Sequence, residues 1–420
     1  MTNEWLFHIC RNGLRLPLGI YLRKIHFENV QHFTKGVPVL IACNHPNSFL
    51  DGVIFEHISG RRVYTLARGD AFMKPVANYM LRSMRILPIF RATDADANIA
   101  RKGNAETMDE LYERFSLKHC ILIFTEGIAY PEKALRRLKK GTGNIALEML
   151  KRSNYTMDLH VVPTALNYTA FGKQMQTVHV SYGEPIRLLD YVDLLKEDEK
   201  AFTDMVTEKV RIKFESDVVI TKGDYTDEKE FVHDLMVNEN YRPLSHKYLG
   251  PWKLSIKKVN LMNDSLANKV KSYQEMLGKH KVLDSNVGRR SFDFLSTLVA
   301  IFTFGISFPI YLVWSLLVLG VKTLVESRFK DIVFRDSVKI GFGMIAGMLL
   351  TLCVFITLSV WFNGFLLFLA GLLGLYGAIC WFRVKESLPY LRNELRWYSL
   401  ADDVRQDLSG QRASIVADIS

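Results

Sequence analysis

The stretch Cys43-Asn44-His45-Pro46-Asn47-Ser48-Phe49-Leu50-Asp51 sets one histidine and one aspartate on either side of a short polar turn. The apolar run from Val37 to Ala42 precedes it and reads as a buried strand. Gly52-Val53-Ile54-Phe55 follows and reads as the start of a helix. A strand-turn-helix junction can hold an imidazole at the mouth of a pocket. An aspartate further along can bind its second ring nitrogen, which fixes the tautomer and makes the other nitrogen a general base for a hydroxyl. The plainer reading is a turn followed by a helix cap at Asn47 or Ser48.

Three further segments end where a site would need them. Arg85-Ile86-Leu87-Pro88-Ile89-Phe90-Arg91 is a short apolar strand ending in an arginine, suited to bidentate phosphate recognition. Ile121-Leu122-Ile123-Phe124-Thr125-Glu126-Gly127 ends in a carboxylate and a glycine, where backbone can approach a ligand closely. His160-Val161-Val162-Pro163-Thr164-Ala165 is the third. Ligands of open α/β sheets lie at the carboxyl ends of strands.

Together these segments resemble the four ordered blocks of the glycerolipid (phospholipid/glycerol) acyltransferase superfamily, over about residues 20 to 185. The resemblance implies that His45 is the general base and Asp51 its orienter. It maps the second block to Phe90 and Arg91, the third to Phe124, Glu126 and Gly127, and the fourth to Val162-Pro163-Thr164. Two features depart from the usual pattern. Five residues, Pro46 to Leu50, separate the histidine and aspartate where four are usual. Ala129 stands where the third block usually carries an arginine. Both departures look like the branch that acylates glycerol 3-phosphate or dihydroxyacetone phosphate, without excluding 1-acylglycerol 3-phosphate as acceptor.

The implied activity is transfer of a fatty acyl group from acyl-CoA or an acyl carrier protein thioester to a glycerol hydroxyl. General-base help is worth roughly 10²–10⁴-fold. The thioester is already activated, so no acyl-enzyme is needed, although Cys43 and Ser48 lie close enough in sequence to make one conceivable. Arg91, Arg136 and Arg137 would neutralise the acceptor phosphate, the last two replacing the missing third-block charge. Read without the resemblance, Arg136 to Lys140 is a solvated basic loop, and Glu126 is a structural carboxylate pairing with Arg91. No bound cofactor or metal is implied.

The elements that must position these residues alternate. Strands are expected near 38–43, 63–67, 86–90, 121–125, 159–165 and 176–182, with helices near 72–84, 98–115 and 141–152. That pattern predicts an α/β catalytic domain, a central sheet flanked by helices, over 31–187. Residues 1–30 read as basic amphipathic helices lying in a membrane interface. Residues 188–286 read as a helical linker or accessory domain, and 391–420 as a polar tail.

Residues 287–390 read as a membrane domain. No charge occurs from Phe294 to Val321 or from Ile340 to Phe382, and a span needs about 20 apolar residues. The second run divides at Phe362-Asn363-Gly364 into spans of about 340–361 and 364–382. Basic loops should stay cytoplasmic, which favours a re-entrant hairpin over 294–321 that turns near Gly305 to Pro309. The expectation is a multi-pass protein with its catalytic domain on the cytoplasmic face.

The 420 residues carry 54 Lys+Arg against 44 Asp+Glu, a formal net charge of +10. That balance favours anionic lipid or an acidic carrier protein; no nucleic-acid module appears. The five cysteines show neither metal-ligand nor paired spacing. Two other readings stand: an acyltransferase for another lysolipid or an aminolipid, and a membrane scaffold with a degenerate acyltransferase domain.

Overall fold

The computed structural model describes residues 4–33, 35–58, 60–91, 94, 96–171, 176–239, 256–257, 259–288, 294–328, 338, 341–342, 392–394 and 396–419. Eight strands form one sheet: β1 (Leu22–Glu28), β2 (Val39–Cys43), β3 (Val63–Arg68), β4 (Ile86–Ile89), β5 (Cys120–Phe124), β6 (His160–Tyr168), β7 (Gln176–Tyr182) and β8 (Ile186–Arg187). Their spatial order is β1-β7-β6-β2-β5-β3-β4, with β8 also beside β6. Pairing is parallel except where β6 meets β7 and β8.

The helices before the linker are α1 (Glu4–Tyr21), α2 (Ser48–Ile58), α3 (Pro75–Ser83), α4 (Ala97–Ser116), α5 (Gly141–Arg152), α6 (Val192–Glu197) and α7 (Glu199–Asp217). The central strands β2 and β5 are apolar and, apart from the half-buried Phe124 at the end of β5, buried, because helices cover both sheet faces. Their residues divide with the two-residue period of a strand. Leu40, Ala42, Ile121 and Ile123 pack toward α4, α5 and α7. Val39, Ile41, Cys43 and Leu122 pack toward α1 and α2. The parallel strands β2 and β5 both end at one edge, at Cys43 and Phe124, which sit opposite one another in register.

Several expected boundaries move. Residues 22–28 are a strand paired with β7, not part of an interfacial helix. Helix α1 buries Phe7, Leu18 and Tyr21 against the domain while Trp5 stays exposed. The folded unit around the sheet does not end at 187. Phe202, Val206, Val210 and Phe214 form a four-residue-spaced stripe along α7 that completes the core beside α5. Each such side chain contributes roughly 1.5–3 kcal/mol by burial, so the sheet domain cannot be separated from it.

A second core joins α8 (Thr226–Glu239), α9 (Asp264–His280) and a carboxyl-terminal helix, α11 (Asp402–Ile419). Leu408, Ile415 and Ile419 are buried there, so the expected polar tail is an amphipathic helix packed on α9. Between them α10 runs unbroken from Phe294 to Arg328. The expected reversal near 305–309 is absent because a continuous helix bonds each backbone amide within the segment, whereas a turn in an apolar stretch orphans them. Among the described residues no helix is long and apolar enough to cross a membrane. The expected spans at 340–361 and 364–382 lie outside the described residues, except 341 and 342.

Candidate active site

β2 ends at Cys43, and the chain turns through Asn44 to Asn47 before entering α2. Ser48, the first residue of that helix, has φ 47°, a left-handed conformation rare for a side-chain-bearing residue. Such strain is held only where surrounding bonds over-determine it. Here the Asn47 amide donates to Asp51 Oδ2 at 2.7 Å, and the Leu50 amide to the Asn47 carbonyl at 3.2 Å. Asn44 ties the turn to β6: its Nδ2 donates to the Leu166 carbonyl at 2.9 Å, and its Oδ1 accepts from the Leu166 amide at 2.7 Å.

His45 and Asp51 come together as expected, with Nδ1 and Oδ2 2.9 Å apart. Asp51 is fully buried and sits in the first turn of α2, where the helix dipole favours an anion. A third group, Tyr168 at the end of β6, donates its hydroxyl to Asp51 Oδ1 at 2.6 Å. Burial, and then the neighbouring Asp51 charge, hold the Tyr168 phenol well above its ordinary range, so it remains the donor. A carboxylate accepting from a phenol and a backbone amide is an acceptor toward the imidazole too. Nδ1 therefore carries the proton and Nε2 presents the lone pair. Phe124 stacks on the imidazole with centroids 3.8 Å apart and planes 10° from parallel, which sets the ring's orientation.

The β5 corner supports the same histidine. Gly127 adopts φ +75° and its amide closes a tight turn on the Phe124 carbonyl. Glu126, buried, does not pair with Arg91. Its Oε2 accepts the His45 amide at 2.9 Å and its Oε1 the Arg136 amide at 3.0 Å. The carboxylate thus joins the turn after β2 to the basic loop 134–140. The Tyr130 amide adds a bond to the His45 carbonyl at 3.1 Å.

The expected phosphate ligands divide. The Arg91 fork is already engaged: Nη2 meets Asp94 Oδ1 at 2.7 Å, Nε meets the same carboxylate, and Nη1 donates to the Gly127 carbonyl at 3.1 Å. Burial pushes Asp94 up, but its bonds to Arg91 leave it below the usual carboxylate range. Arg91 braces the glycine corner through a committed ion pair. Arg136 lies 3.5 Å over the Tyr130 ring and pairs with Glu132 at 2.7 Å. Arg137 is exposed.

Pro163 is an internal sheet residue. It lies opposite Ala42, between the β6 residues that pair with β8 and those that pair with β7, where a missing amide costs no ladder bond. Cys43 is fully buried, and burial followed by Asp51 and Glu126 pushes its thiol well above its ordinary range. A protonated thiol out of reach of solvent cannot carry an acyl group. Among the described residues no group of His, Cys, Asp and Glu could hold a metal ion.

Residues 24–167 match the family model described as Acyltransferase. Over 83 residues the chain is 32% identical to glycerol-3-phosphate O-acyltransferase 2 of Saccharomyces cerevisiae, a match covering 20% of this chain and 11% of that protein. A structural match is to the crystal structure of the 1-acyl-sn-glycerophosphate (LPA) acyltransferase, PlsC, from Thermotoga maritima. The match covers 49% of this chain and 78% of that one, at 17% identity and a TM-score of 0.35.

Proposed function

We propose, from the match of residues 24–167 to the Acyltransferase family, that the protein transfers a fatty acyl group from a thioester to a hydroxyl of glycerol 3-phosphate or 1-acylglycerol 3-phosphate. The observation that carries this reading is the His45–Asp51 bond at 2.9 Å within a buried, fully bonded carboxylate site. Nε2 of His45 takes the hydroxyl proton as the oxygen attacks the thioester carbonyl. Asp51 stabilises the imidazolium that forms. As the carbon–sulfur bond breaks, the imidazolium returns its proton to the departing thiolate. Arg136, next to the Glu126 bridge, supplies positive charge for the acceptor phosphate.

Membrane attachment belongs to this reading. The uncharged sequence from 294 to 321 and the exposed Phe302, Ile306, Leu316 and Leu319 on α10 form an apolar surface that water does not stabilise. No helix among the described residues is long and apolar enough to cross a membrane, and the apolar surface is the observation that supports attachment. The bilayer would then hold the acylated product, with the catalytic domain on its cytoplasmic side.

A different acceptor, a lysolipid or aminolipid without the glycerol phosphate, is favoured by one observation, Ala129 in place of the usual arginine. The test is transfer of labelled acyl groups from acyl-CoA and from acyl carrier protein by detergent-solubilised protein and its His45→Ala variant, with both glycerol acceptors. Transfer that is lost in the variant supports the reading. A folded protein active on neither acceptor overturns it.

A further inference from the structure

Between β5 and α5 the chain carries neither helix nor strand, from 125 to 140. Its course there depends on bonds to other parts of the molecule. Two of its amides bear on His45. The Tyr130 amide donates to the His45 carbonyl at 3.1 Å, and the Arg136 amide donates to Glu126, whose other oxygen accepts the His45 amide. Lys133 stands midway between Tyr130 and Arg136 and is anchored elsewhere. Its carbonyl accepts the Thr221 amide at 2.9 Å and the Lys222 amide at 3.2 Å, both just before α8. Its ammonium donates to Nδ1 of His233, on α8, at 3.3 Å. Beside it, Lys222 Nζ donates to Glu132 at 2.8 Å. Both His233 and Lys133 are buried, and a lysine is seldom buried without a partner. Burial, then Lys133 and His179, push His233 well below its ordinary range, so it stays neutral. A ring nitrogen that faces an ammonium can only accept.

We propose that Lys133 and His233 are positioning residues for acyl transfer: α8 seats the 130–136 loop through Lys133, and the seated loop fixes the backbone of His45. The proposal rests on the acyl-transfer reading and goes beyond it by giving a role to a helix outside the matched residues 24–167. Val232 and Leu235, on either side of His233 in sequence, are buried in the second core with α9 and α11, so the anchor is part of a packed unit. Tyr130 and Arg136 each lie three residues from Lys133, at most about 10 Å of extended chain, and release of Lys133 therefore reaches both contacts to His45. An ammonium that loses its acceptor in a buried site moves to water, and the loop moves with it. A base displaced by about 1 Å can lose roughly 10²-fold in rate.

The test compares two variants of the full chain in detergent. His233→Leu keeps apolar volume and removes the acceptor. His233→Asn keeps an acceptor at the Nδ1 position and leaves a cavity. Both should melt below the parent protein. With palmitoyl-CoA and the two glycerol acceptors, His233→Leu should lower kcat about tenfold and leave KM for palmitoyl-CoA within about twofold. His233→Asn should keep kcat within about twofold, so that turnover follows the acceptor and not the melting temperature. Hydrogen exchange read by mass spectrometry should rise over 43–51 and 128–140 in His233→Leu alone, and this arm needs no turnover. Lys133→Ala strands no charge and should repeat the kcat loss, which keeps the test decisive if His233→Leu does not fold. Equal kcat losses in the leucine and asparagine variants would mark a merely structural contact and overturn the assignment. So would parental kcat in His233→Leu or in Lys133→Ala, or unchanged exchange over 43–51. The expected exchange pattern in a protein that acylates neither glycerol acceptor would refute the acyl-transfer reading alone.

Discussion

Replacing Tyr168 by phenylalanine removes one hydroxyl and nothing else from the site. That hydroxyl supplies the shortest of three bonds to Asp51, at 2.6 Å against 2.7 Å from the Asn47 amide and 2.9 Å at His45. Asp51 is fully buried, so no water replaces the lost donor. A hydrogen bond to a buried charge contributes roughly 1.5–3 kcal/mol, and urea unfolding should show a loss of that size. Turnover should fall about tenfold, or ~1.4 kcal/mol of barrier, because two bonds still hold the carboxylate against the imidazole. KM for both substrates should stay within twofold. Asp51→Asn removes the charge and should cost about 10³-fold or more.

The same pair of proteins has a pH signature. Burial raises the folded pKa of Tyr168 above its unfolded value, so its contribution is full below pH about 10. It is lost as the pH rises from there through the folded value. The stability gap between parent and Tyr168→Phe should therefore be constant at neutral pH and shrink above about 10. Parental kcat in Tyr168→Phe, or a KM effect without a kcat effect, would refute the positioning role.

Glu126→Gln leaves one acceptor for two backbone amides and turns an amino group toward the other. The unmet donor should cost about 1–3 kcal/mol by denaturant titration, and kcat should fall as the His45 backbone shifts; parental kcat would show that the bridge does not position the base. Alkylation of the native protein at pH 8 should leave Cys43 and Cys120 unmodified by mass spectrometry, since burial pushes Cys120 up to about 12 and Cys43 well above its ordinary range. Cys43→Ala should accordingly keep activity, and loss of acyl transfer there would revive a covalent route. Gly103→Ala, normally a gain of up to about 1 kcal/mol inside a helix, should instead lower the melting temperature. A Cβ there meets the Phe90 ring at 2.5 Å, and overpacking costs about 1–3 kcal/mol; a raised melting temperature would contradict that close contact.

The strands that were plain in the sequence are those whose burial leaves a local mark. The expected 176–182 and the helix at 141–152 appear with those bounds, because an unbroken β-prone run and a glycine-bounded amphipathic stretch each record their own neighbours. β1 was missed although Ile25 and Phe27 alternate with Lys24, His26 and Glu28, since the basic residues around them suit a membrane-facing helix equally well. Its partner β7 lies 153 residues downstream at the His26–His179 pair. Arg91 was legible as a functional type but not in its bonding, because Asp94 and the Gly127 carbonyl are brought to it by the turn after β4 and by the β5 corner.

What the sequence determined by itself is the chemistry at the strand ends. A histidine, an aspartate six residues on and a Glu-Gly corner each follow an apolar run, and short-range periodicity is enough to place them. Tyr168, the Glu126 bridge and the Lys133–His233 contact were decided by tertiary structure. Tyr168 lies 117 residues from Asp51, and it reaches that carboxylate because β6 pairs directly with β2. Strand order is a property of how faces pack on both sides of a sheet, and no local pattern of residues encodes it.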